Sequence, residues 1–408
     1  MPSLNALLTA SLAFASIALG APAAQNKEFT VEQVKNPKFV KSGPIALAHA
    51  YAKHGVPIPE GLKKAAKAAR PPKSHSKRQN GSGSATTTPA DEDVEWLTPV
   101  QIGTPAQTFN LDFDTGSSDL WVFSTETTGS SGHDEYNPAK SSTAKKLSGA
   151  TWKISYGDGS SSSGDVYKDK VSVGGLVVSS QAVEAAQKVS SEFEEESGLD
   201  GLLGLGFSSI NQVRPTKQKT FFDNAISTLS APVFTADLKH QKPGKYNFGY
   251  IDSSAYTGKI GYASVDSSQG FWDFTASGYA IGSASLNSSP IDGIADTGTT
   301  LLLLPDSINS AYYAKVSGAK YSSTYGGYVF SCSATLPSFS FAVGGVTITI
   351  PGSYINYAPV TDGSSTCYGG IQPSDDFGVN IFGDIALKAA FVVFDGGNQQ
   401  VGWAKKTL

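Results

Sequence analysis

The stretch FDTGSSDLW, from Phe113 to Trp121, places an aspartate between an apolar run and a cluster of glycine and hydroxyl residues. Taken alone, Asp-Thr-Gly-Ser-Ser is typical of an ordinary surface turn. A second stretch, IADTGTTLLLLP, begins at Ile294 and repeats the Asp-Thr-Gly triplet from Asp296. Each triplet follows apolar residues and precedes two hydroxyl residues and a leucine-containing run, which indicates more than a turn.

Each triplet also has an apolar–apolar–glycine echo downstream. DGLLGLGF reaches Gly204 at 90 residues after Asp114, and VNIFGD reaches Gly383 at 87 residues after Asp296. One Asp-Thr-Gly is weak evidence, but two triplets with echoes at nearly equal offsets indicate a duplicated lobe.

Length and composition fit such a chain. Its 408 residues are too many for one small core, and its 43 glycines and 17 tyrosines favour strands joined by tight turns. Short runs such as QTFNLDFD, TWKISYGDGS and AAFVVFD predict an all-β protein with minor helices near Phe221 and Ile308. We predict an N-terminal lobe over 79–265 and a C-terminal lobe over 266–408.

Residues 1–78 differ from the rest of the chain. Residues 1–20 contain an uncharged apolar stretch that ends in small residues, which predicts a secretory signal peptide. Residues 21–78, called the basic segment below, carry 12 Lys and Arg against 3 Asp and Glu, whereas residues 79–408 carry 19 against 32. Nucleic acid or membrane binding is one explanation of such a charge. A pro-segment docked on an acidic body, and cleaved after Lys77-Arg78, fits a signal-bearing chain better.

Two cysteines, Cys332 and Cys367, predict one disulfide in a secreted chain. The residues after 78 include only two histidines, His133 and His240, without ligand spacing, so no metal or other cofactor is expected. No later run approaches membrane-spanning length, and the C-terminal VGWAKKTL offers no tail for a lipid anchor. Tripeptides at Asn80 and Asn287 match glycosylation sequons.

If the two lobes face each other, Asp114 and Asp296 meet at the seam. Two carboxylates in hydrogen-bonding distance do not both ionise cheaply, so one pKa rises and the other falls. One carboxyl can then act as a base on water and the other as an acid toward a carbonyl. The neighbouring glycines admit the backbone, and the hydroxyls can bond across the seam or to the carboxylates; the predicted supporting residues are Thr115, Gly116, Ser117, Thr297, Gly298 and Thr299.

With this double motif, the chain resembles the pepsin-like aspartic proteases, specifically the secreted fungal group, over essentially its whole length. The resemblance implies a bilobal fold with a substrate cleft, catalytic roles for Asp114 and Asp296, and a second-lobe disulfide between Cys332 and Cys367. It also implies a secreted, extracellular, pepstatin-sensitive monomer that acts on polypeptides and binds neither nucleic acid nor membrane. The disulfide that pepsins carry after the first aspartate is absent here, which weakens a vacuolar assignment.

The resemblance extends to the flap that covers the cleft. WKISYGDGS matches the flap strands, with Tyr156 as the flap tyrosine and Gly157-Asp158 at the tip. Trp121 matches the tryptophan that hydrogen-bonds the flap tyrosine, and Leu202 is expected in the wall behind the Asp114 loop. Taken singly, Tyr156 and Asp158 are also ordinary strand and turn residues.

Two further residues receive specific hypotheses. Asp112 lies on the same strand face as Asp114 by alternation, so Asp112 and Asp158 together could admit Lys beside large apolar residues at the cleavage site. Lys53, in AHAYAKHG, matches the pro-segment lysine that lies over the two aspartates in relatives. Relatives commonly carry Tyr where this chain has His54, which leaves the role of that neighbour open.

Two other functions remain as alternatives. A catalytically inactive homologue could serve as a binding or inhibitor module, but the intact Asp-Thr-Gly triplets and Tyr156 argue against it. A glycoside hydrolase also uses two carboxylates, although its pair need not occupy repeated Asp-Thr-Gly loops. Pepstatin-sensitive digestion of haemoglobin in acid separates the protease from both.

Overall fold

The computed structural model describes residues 27–70, 96–155 and 161–408, with the backbone alone for Ser191 and Glu192. In these ranges strands predominate and helices are short, so the predicted all-β class is confirmed. The cause lies in the sequence, where short runs of β-branched and aromatic residues alternate with glycine-rich turns.

The strands of the first part of the chain come from the basic segment and from the region around the first Asp-Thr-Gly. They are β1 (Phe29–Glu32), β2 (Val34–Lys35), β3 (Trp96–Ile102), β4 (Gln107–Asp114), β5 (Leu120–Val122), β6 (Lys145–Ser155), β7 (Ser161–Val173), β8 (Leu176–Lys188), β9 (Gly201–Gly204), β10 (Val213–Arg214), β11 (Val233–Lys239), β12 (Lys242–Phe248) and β13 (Thr257–Ser264).

The remaining strands surround the second Asp-Thr-Gly and the disulfide. They are β14 (Asp273–Ala276), β15 (Gly278–Ile281), β16 (Ile291–Ala295), β17 (Leu302–Leu304), β18 (Lys320–Ser322), β19 (Gly327–Ser331), β20 (Phe339–Val343), β21 (Val346–Ile350), β22 (Asn356–Pro359), β23 (Thr366–Gly369), β24 (Ile371–Pro373), β25 (Asn380–Phe382), β26 (Phe391–Asp395) and β27 (Gln400–Lys405).

The helices have four to eleven residues. They are α1 (Gly43–Lys53), α2 (Glu60–Ala69), α3 (Ser191–Glu194), α4 (Phe221–Ala225), α5 (Asp306–Tyr313), α6 (Gly352–Ile355) and α7 (Asp384–Leu387), with 3₁₀ turns at Pro138–Lys140, Ser208–Ile210 and Ile226–Thr228. The two helices predicted near Phe221 and Ile308 are present. Asp306 is the first residue of α5, and Pro305 is its N-cap.

The sheets divide into groups around the two Asp-Thr-Gly loops. A nine-stranded sheet, in the order β10-β6-β7-β8-β5-β9-β4-β3-β2, contains the first loop, and a five-stranded sheet, β14-β16-β25-β17-β24, contains the second. Smaller sheets of three (β15-β20-β21) and four strands (β18-β19-β23-β22) complete the second region.

A six-stranded sheet joins the two regions. Its order is β1-β12-β11-β26-β27-β13, so strands from both halves of the chain pair directly, and β1 of the basic segment forms one edge. Phe234 on β11 stacks on Phe394 of β26 at 4.6 Å between ring centroids, and Trp272 packs edge-on against both rings. These aromatic residues form a core beneath the two loops and hold the halves together. The lobe boundaries given above stay a prediction.

The basic segment is well packed against the body within its described part. α1 begins after Ser42, whose Oγ caps the Ile45 N–H, and its Gly43 lies flat on the Tyr368 ring, where a Cβ would come within 2.2 Å of a ring carbon. α2 buries Leu62 completely. α1 therefore crosses the body with its last residue, Lys53, delivered to the seam between the two loops.

Candidate active site

Two loops of the same construction carry Asp114 and Asp296. β4 ends at Asp114 and pairs in parallel with β9, which lies antiparallel to β5. In the second half, β16 ends just before Asp296, pairs in parallel with β25, and β25 lies antiparallel to β17. The apolar–apolar–glycine echoes of the sequence are the strands β9 and β25. The sequence repeat is therefore a repeat of structure.

Reciprocal hydrogen bonds from Thr115 and Thr297 join the two loops. Each threonine backbone N–H donates to the hydroxyl of the other at 3.0 Å. The Thr115 hydroxyl in turn donates to the Ala295 carbonyl at 2.7 Å, and the Thr297 hydroxyl donates to the Phe113 carbonyl at 2.5 Å. Four hydrogen bonds, all between buried groups, thus fix each loop relative to the other.

The glycines of the two triplets allow each loop to approach the opposite carboxylate. A Cβ on Gly116 would lie 2.6 Å from the Asp296 carboxylate, and a Cβ on Gly298 would lie 2.3 Å from Asp114 Oδ1. Neither space admits a methyl group. The backbone N–H groups of these glycines also orient the carboxylates. Gly116 donates to Asp114 Oδ1 at 2.8 Å, and Gly298 donates to Asp296 Oδ1 at 3.0 Å.

The outer sides of the two carboxyls differ. Thr299 donates its hydroxyl to Asp296 Oδ2 at 2.7 Å. The Ser117 hydroxyl acts on the Asp114 carboxyl from the corresponding position and lowers its pKa, although Asp114 Oδ2 meets no donor in full hydrogen-bond geometry among the described residues. The predicted hydrogen bond from a hydroxyl to the carboxyl is therefore formed by Thr299 at Asp296, whereas Ser117 does not form the equivalent bond to Asp114 Oδ2.

Lys53 from the end of α1 lies between the two carboxyls. Its Nζ is 2.6 Å from Asp114 Oδ1 and 2.8 Å from both oxygens of Asp296. The next residue, His54, places Nε2 at 3.5 Å from Asp296 Oδ2. Both aspartate side chains are fully buried, and the Lys53 side chain is 14 % exposed. The ammonium therefore fills the space directly in front of both carboxylates.

The electrostatic surroundings drive the two aspartate pKa values apart. At Asp114, burial and the charge of Asp296 outweigh the Lys53 ammonium, so the pKa of Asp114 is raised. At Asp296, burial acts in the same direction, but Lys53 and then His54 lower the pKa of this carboxyl below its usual range. The pKa of Lys53 is raised, because the two carboxylates outweigh its burial.

The other predicted cleft residues surround this centre. Trp121 on β5 is buried and pairs in register with Leu202 on β9, and Leu202 pairs on its other side with Asp112 on β4. Asp112 and Leu202 line one cavity together with Phe193 and the α1 residue Lys53. The placement of Asp112 on the same strand face as Asp114 stays a prediction, and Phe193 was not predicted.

Several predicted residues lie outside the described part of the chain. They are the flap residues Tyr156, Gly157 and Asp158, the processing pair Lys77 and Arg78, and the sequon residue Asn80. The strands β6 and β7 that lead into and out of residues 156–160 pair with each other up to Ser155 and Ser161.

The remaining predictions concern the surface and the disulfide. Cys332 and Cys367 form the predicted disulfide. Asn287 of the second sequon is exposed. Among the described residues, no group of three His, Cys, Asp or Glu side chains is arranged to hold a metal ion, and no helix has the length and apolar character to cross a membrane.

A second contact region joins the basic segment to the body and was not predicted from the sequence. Arg70, after α2, forms an ion pair with Glu195, and His49 on α1 lies with Nδ1 at 3.8 Å from Glu196 Oε2. The imidazole of His49 also stacks on Phe193 at 6.3 Å between centroids. The sequence did contain a signal for this contact, because the acidic run EFEEE, from Glu192 to Glu196, is complementary in charge to the basic segment.

Two loops of the same construction bring a pair of buried carboxyls together, and hydrogen bonds of two threonines join the loops. This arrangement is that of an aspartic protease. The family model described as eukaryotic aspartyl protease matches residues 95–406. The chain belongs to this family and is an aspartic endopeptidase that acts on polypeptides.

The chain is similar to fungal members of the family along nearly its whole length. It is 58 % identical to endothiapepsin of Cryphonectria parasitica, with 99 % of both chains covered. It is 55 % identical to aspergillopepsin-1 of Aspergillus oryzae over 98 % of both chains, and 51 % identical to penicillopepsin-3 of Penicillium janthinellum over 99 % of this chain and all of the relative.

A solved structure supports the predicted pepsin-like fold. The aspartic proteinase from Irpex lacteus superposes with a TM-score of 0.64 at 26 % sequence identity, covering 76 % of this chain and 94 % of that one. The resemblance to the pepsin-like family and the fold that it implied are confirmed.

The threonine bonds predict the effect of removing one hydroxyl. Thr115→Val keeps the side-chain volume but leaves the Thr297 N–H and the Ala295 carbonyl without their partner. We therefore expect the free energy of unfolding to fall by about 2–4 kcal/mol. Thr115→Ser retains the hydroxyl and is the matched control, with a loss of about 1 kcal/mol or less for the missing methyl group. Urea unfolding of the full chain, followed by tryptophan fluorescence, measures both variants. Equal losses in Val and Ser would contradict the role of the hydroxyl.

Proposed function

We propose that this chain is the precursor of a secreted, extracellular acid endopeptidase that its own basic segment keeps latent and that works as a monomer. The observation that carries the proposal is the position of Lys53 Nζ, at 2.6 Å from Asp114 Oδ1 and 2.8 Å from Asp296 Oδ1. An apolar leader before the basic segment and the pair Lys77-Arg78 at its end support secretion followed by cleavage.

Hydrolysis follows from a dyad that holds one proton after Lys53 has left. The ionised carboxyl takes a proton from a water molecule as the water oxygen bonds to the substrate carbonyl carbon, and the protonated carboxyl gives its proton to the carbonyl oxygen. The ionised carboxyl then takes one hydroxyl proton from the resulting diol, the protonated carboxyl gives its proton to the amide nitrogen, and the C–N bond breaks to release a carboxylic acid and an amine. The dyad ends, as it began, with one proton shared by Asp114 and Asp296.

Latency and its loss in acid follow from the charges at the seam. With Lys53 docked, the ammonium lies between the two carboxyls and holds the pKa of Asp296 below its usual range, whereas burial keeps the pKa of Asp114 raised. A depressed carboxyl pKa contributes binding free energy above the ordinary aspartate pKa, and this contribution is lost as the pH falls. The free dyad takes up one proton below about pH 5, so docking weakens by about tenfold for each further pH unit.

His49 supports release in the same direction. Burial, and then the charge of Arg70, lower the pKa of His49 from 6.5 to about 4. A neutral histidine is therefore favoured while the basic segment is docked. Its contribution to docking is present above pH 6.5 and is lost as the pH falls toward 4.

The cleft supports cleavage beside large apolar residues, with Lys as a further hypothesis. Leu202 and Phe193 supply an apolar wall that α1 covers in the precursor, and Asp112 lines the same cavity. A carboxylate beside an apolar wall can accept a lysine ammonium while the wall packs against the lysine stem. Asp158, at the predicted flap tip, is the second carboxylate of this hypothesis.

The catalytic roles are tested by removing one carboxylate at a time. Asp114→Asn and Asp296→Asn, matured with an added processing protease, should each lose about 10³-fold or more in haemoglobin digestion near pH 3.5, because the dyad can no longer exchange its proton. Asp252→Asn, which alters a surface carboxylate paired with Lys245, is the control and should stay active. Wild-type activity that pepstatin does not inhibit, or an active Asp114→Asn enzyme, would sink the proposal.

Latency is tested at Lys53. Lys53→Met keeps the aliphatic stem and removes the charge, so the docked dyad would retain a proton and docking would depend less on pH. We expect the variant precursor to become active at a pH about one unit higher than wild type. Lys64→Met on the exposed face of α2 is the control. The measurement is conversion and peptidase activity against pH; identical curves for Lys53→Met and wild type argue against the proposed latch.

The Lys hypothesis is tested with matched peptides that differ only in Lys or Leu before the cleaved bond. Asp112→Asn and Asp158→Asn should lower the Lys-to-Leu ratio of kcat/KM by about tenfold each, the lower end of what a hydrogen bond to a charged group contributes. Leu cleavage serves as the internal control. A ratio that stays constant in both variants removes these residues from specificity.

A further inference from the structure

A second pair of buried acids lies behind the Asp114 loop, apart from the dyad. Asp119 is the last residue before β5, and Glu184 on β8 is the register partner of Trp121 on β5. The exposed fraction is 4 % for Asp119 and zero for Glu184. The proposed chemistry uses neither group.

The hydrogen bonds around this pair leave room for one negative charge. Asp119 Oδ1 accepts from the Gln212 N–H at 2.8 Å and from Asn211 Nδ2 at 2.9 Å, which favours an ionised Asp119. Glu184 Oε1 accepts only a longer bond from the same Asn211 Nδ2, at 3.2 Å, and Glu184 Oε2 meets no donor within the described ranges. The remaining partner of Glu184 is the Asp119 carboxyl itself, to which it can bond only if one of the two is protonated.

The pair is connected directly to the loop that carries Asp114. Asn211, which bonds both acids, also donates to the Ser118 carbonyl at 3.2 Å. The Asp119 carbonyl accepts from the N–H of Gly204, the last residue of β9, at 2.9 Å, and the N–H of the next residue, Leu205, donates to the Asp114 carbonyl at 2.7 Å. A displacement at the acid pair would therefore reach the strand and the backbone that hold Asp114.

We propose that Asp119 and Glu184 share one proton, and that its loss as the pH rises toward neutrality displaces the Asp114 loop and inactivates the enzyme. In this role they are positioning residues that act through the loop. The inference uses the proposed catalytic role of Asp114 only for its activity readout.

The charges around the pair support this assignment. Burial is the main cause that raises the pKa of Asp119 to about 6, and burial together with the Asp119 charge raises the pKa of Glu184 well above its ordinary value. The neighbouring charges that act on Asp119 are Arg214, which favours ionisation, and Asp114, which opposes it. The Arg214 guanidinium is engaged with the backbone carbonyls of Asn211 and Val213.

The direction of the pH effect follows from linkage. A carboxyl whose pKa is raised by folding binds its proton more tightly in the folded state, so the folded state is favoured at low pH. This stability is complete below the ordinary carboxyl pKa and is lost as the pH rises through about 6 and beyond. The proton shared by Asp119 and Glu184 would therefore set the upper pH limit of the active enzyme.

The test removes one ionisable group without changing its shape. Mature wild-type enzyme, Glu184→Gln and the control Glu126→Gln are incubated between pH 4 and 8, returned to about pH 3.5 and assayed, with tryptophan fluorescence recorded in parallel. Glu126 is a carboxylate of the same region, but its partners are the Tyr167 hydroxyl and the Gln187 amide. Glu184→Gln can donate an amide N–H to an ionised Asp119.

We expect the midpoint of inactivation to rise by about one pH unit in Glu184→Gln, with a parallel shift in fluorescence, and to stay unchanged in Glu126→Gln. A midpoint of Glu184→Gln equal to that of wild type overturns the inference, as does a wild type that stays active to pH 8. Because fluorescence reports the structural change without catalysis, failure of the catalytic proposal would leave this result readable.

If Glu184→Gln is not secreted in a folded form, Asp119→Asn gives the same test, since its amide can donate to an ionised Glu184. Wild-type enzyme also allows a direct measurement. An infrared C=O band from a protonated carboxyl should persist at about pH 6, where ordinary aspartates and glutamates are ionised. The absence of such a band would overturn the shared proton.

Discussion

The reciprocal hydrogen bonds between Thr115 and Thr297 are the constraint on which the rest of the molecule depends. Each threonine closes a bond to the opposite loop with its backbone and another with its hydroxyl, so neither loop can shift alone. This fixes Asp114 and Asp296 at the seam, where burial makes a single shared charge cheaper than two. The aromatic core beneath, and the six-stranded sheet that both halves share, keep the seam in place.

The same physical problem, a buried carboxyl with no water to solvate it, has three solutions in this chain. With the basic segment docked, the Lys53 ammonium offsets one of the two possible charges of the dyad. After the proposed release of that segment, the proposed dyad keeps a proton of its own. Behind the Asp114 loop, no cation among the described residues forms an ion pair with Asp119 or Glu184, and the proposed answer is again a shared proton. The ammonium stabilises the ionised carboxyls at higher pH, and the shared protons are retained at lower pH. Latency, activity and stability therefore all depend on pH.

The dyad and its supporting residues could be predicted from the sequence because a repeated triplet with echoes at nearly equal offsets is a long-range signal. The two cysteines predicted the disulfide, and short runs of β-branched and aromatic residues predicted the all-β class. Contacts that depend on docking gave no such signal. The packing of Gly43 on Tyr368 and the ion pair of Arg70 with Glu195 join segments more than a hundred residues apart without a repeated motif. Glu184 sits within an ordinary strand pattern, and only the pairing of β5 with β8 brings it to Asp119.

The proposed latch requires that docking of the basic segment places the Lys53 ammonium between Asp114 and Asp296 and displaces the proton that the free dyad holds. Calorimetry of a synthetic 21–78 peptide binding to the mature enzyme near pH 4.5, in buffers of different ionisation enthalpy, counts the protons exchanged on docking. We expect docking to release about one proton from the dyad, beyond any exchange by the histidines, and we expect this release to be lost when the peptide carries Lys53→Met. Equal proton exchange by the two peptides would contradict it.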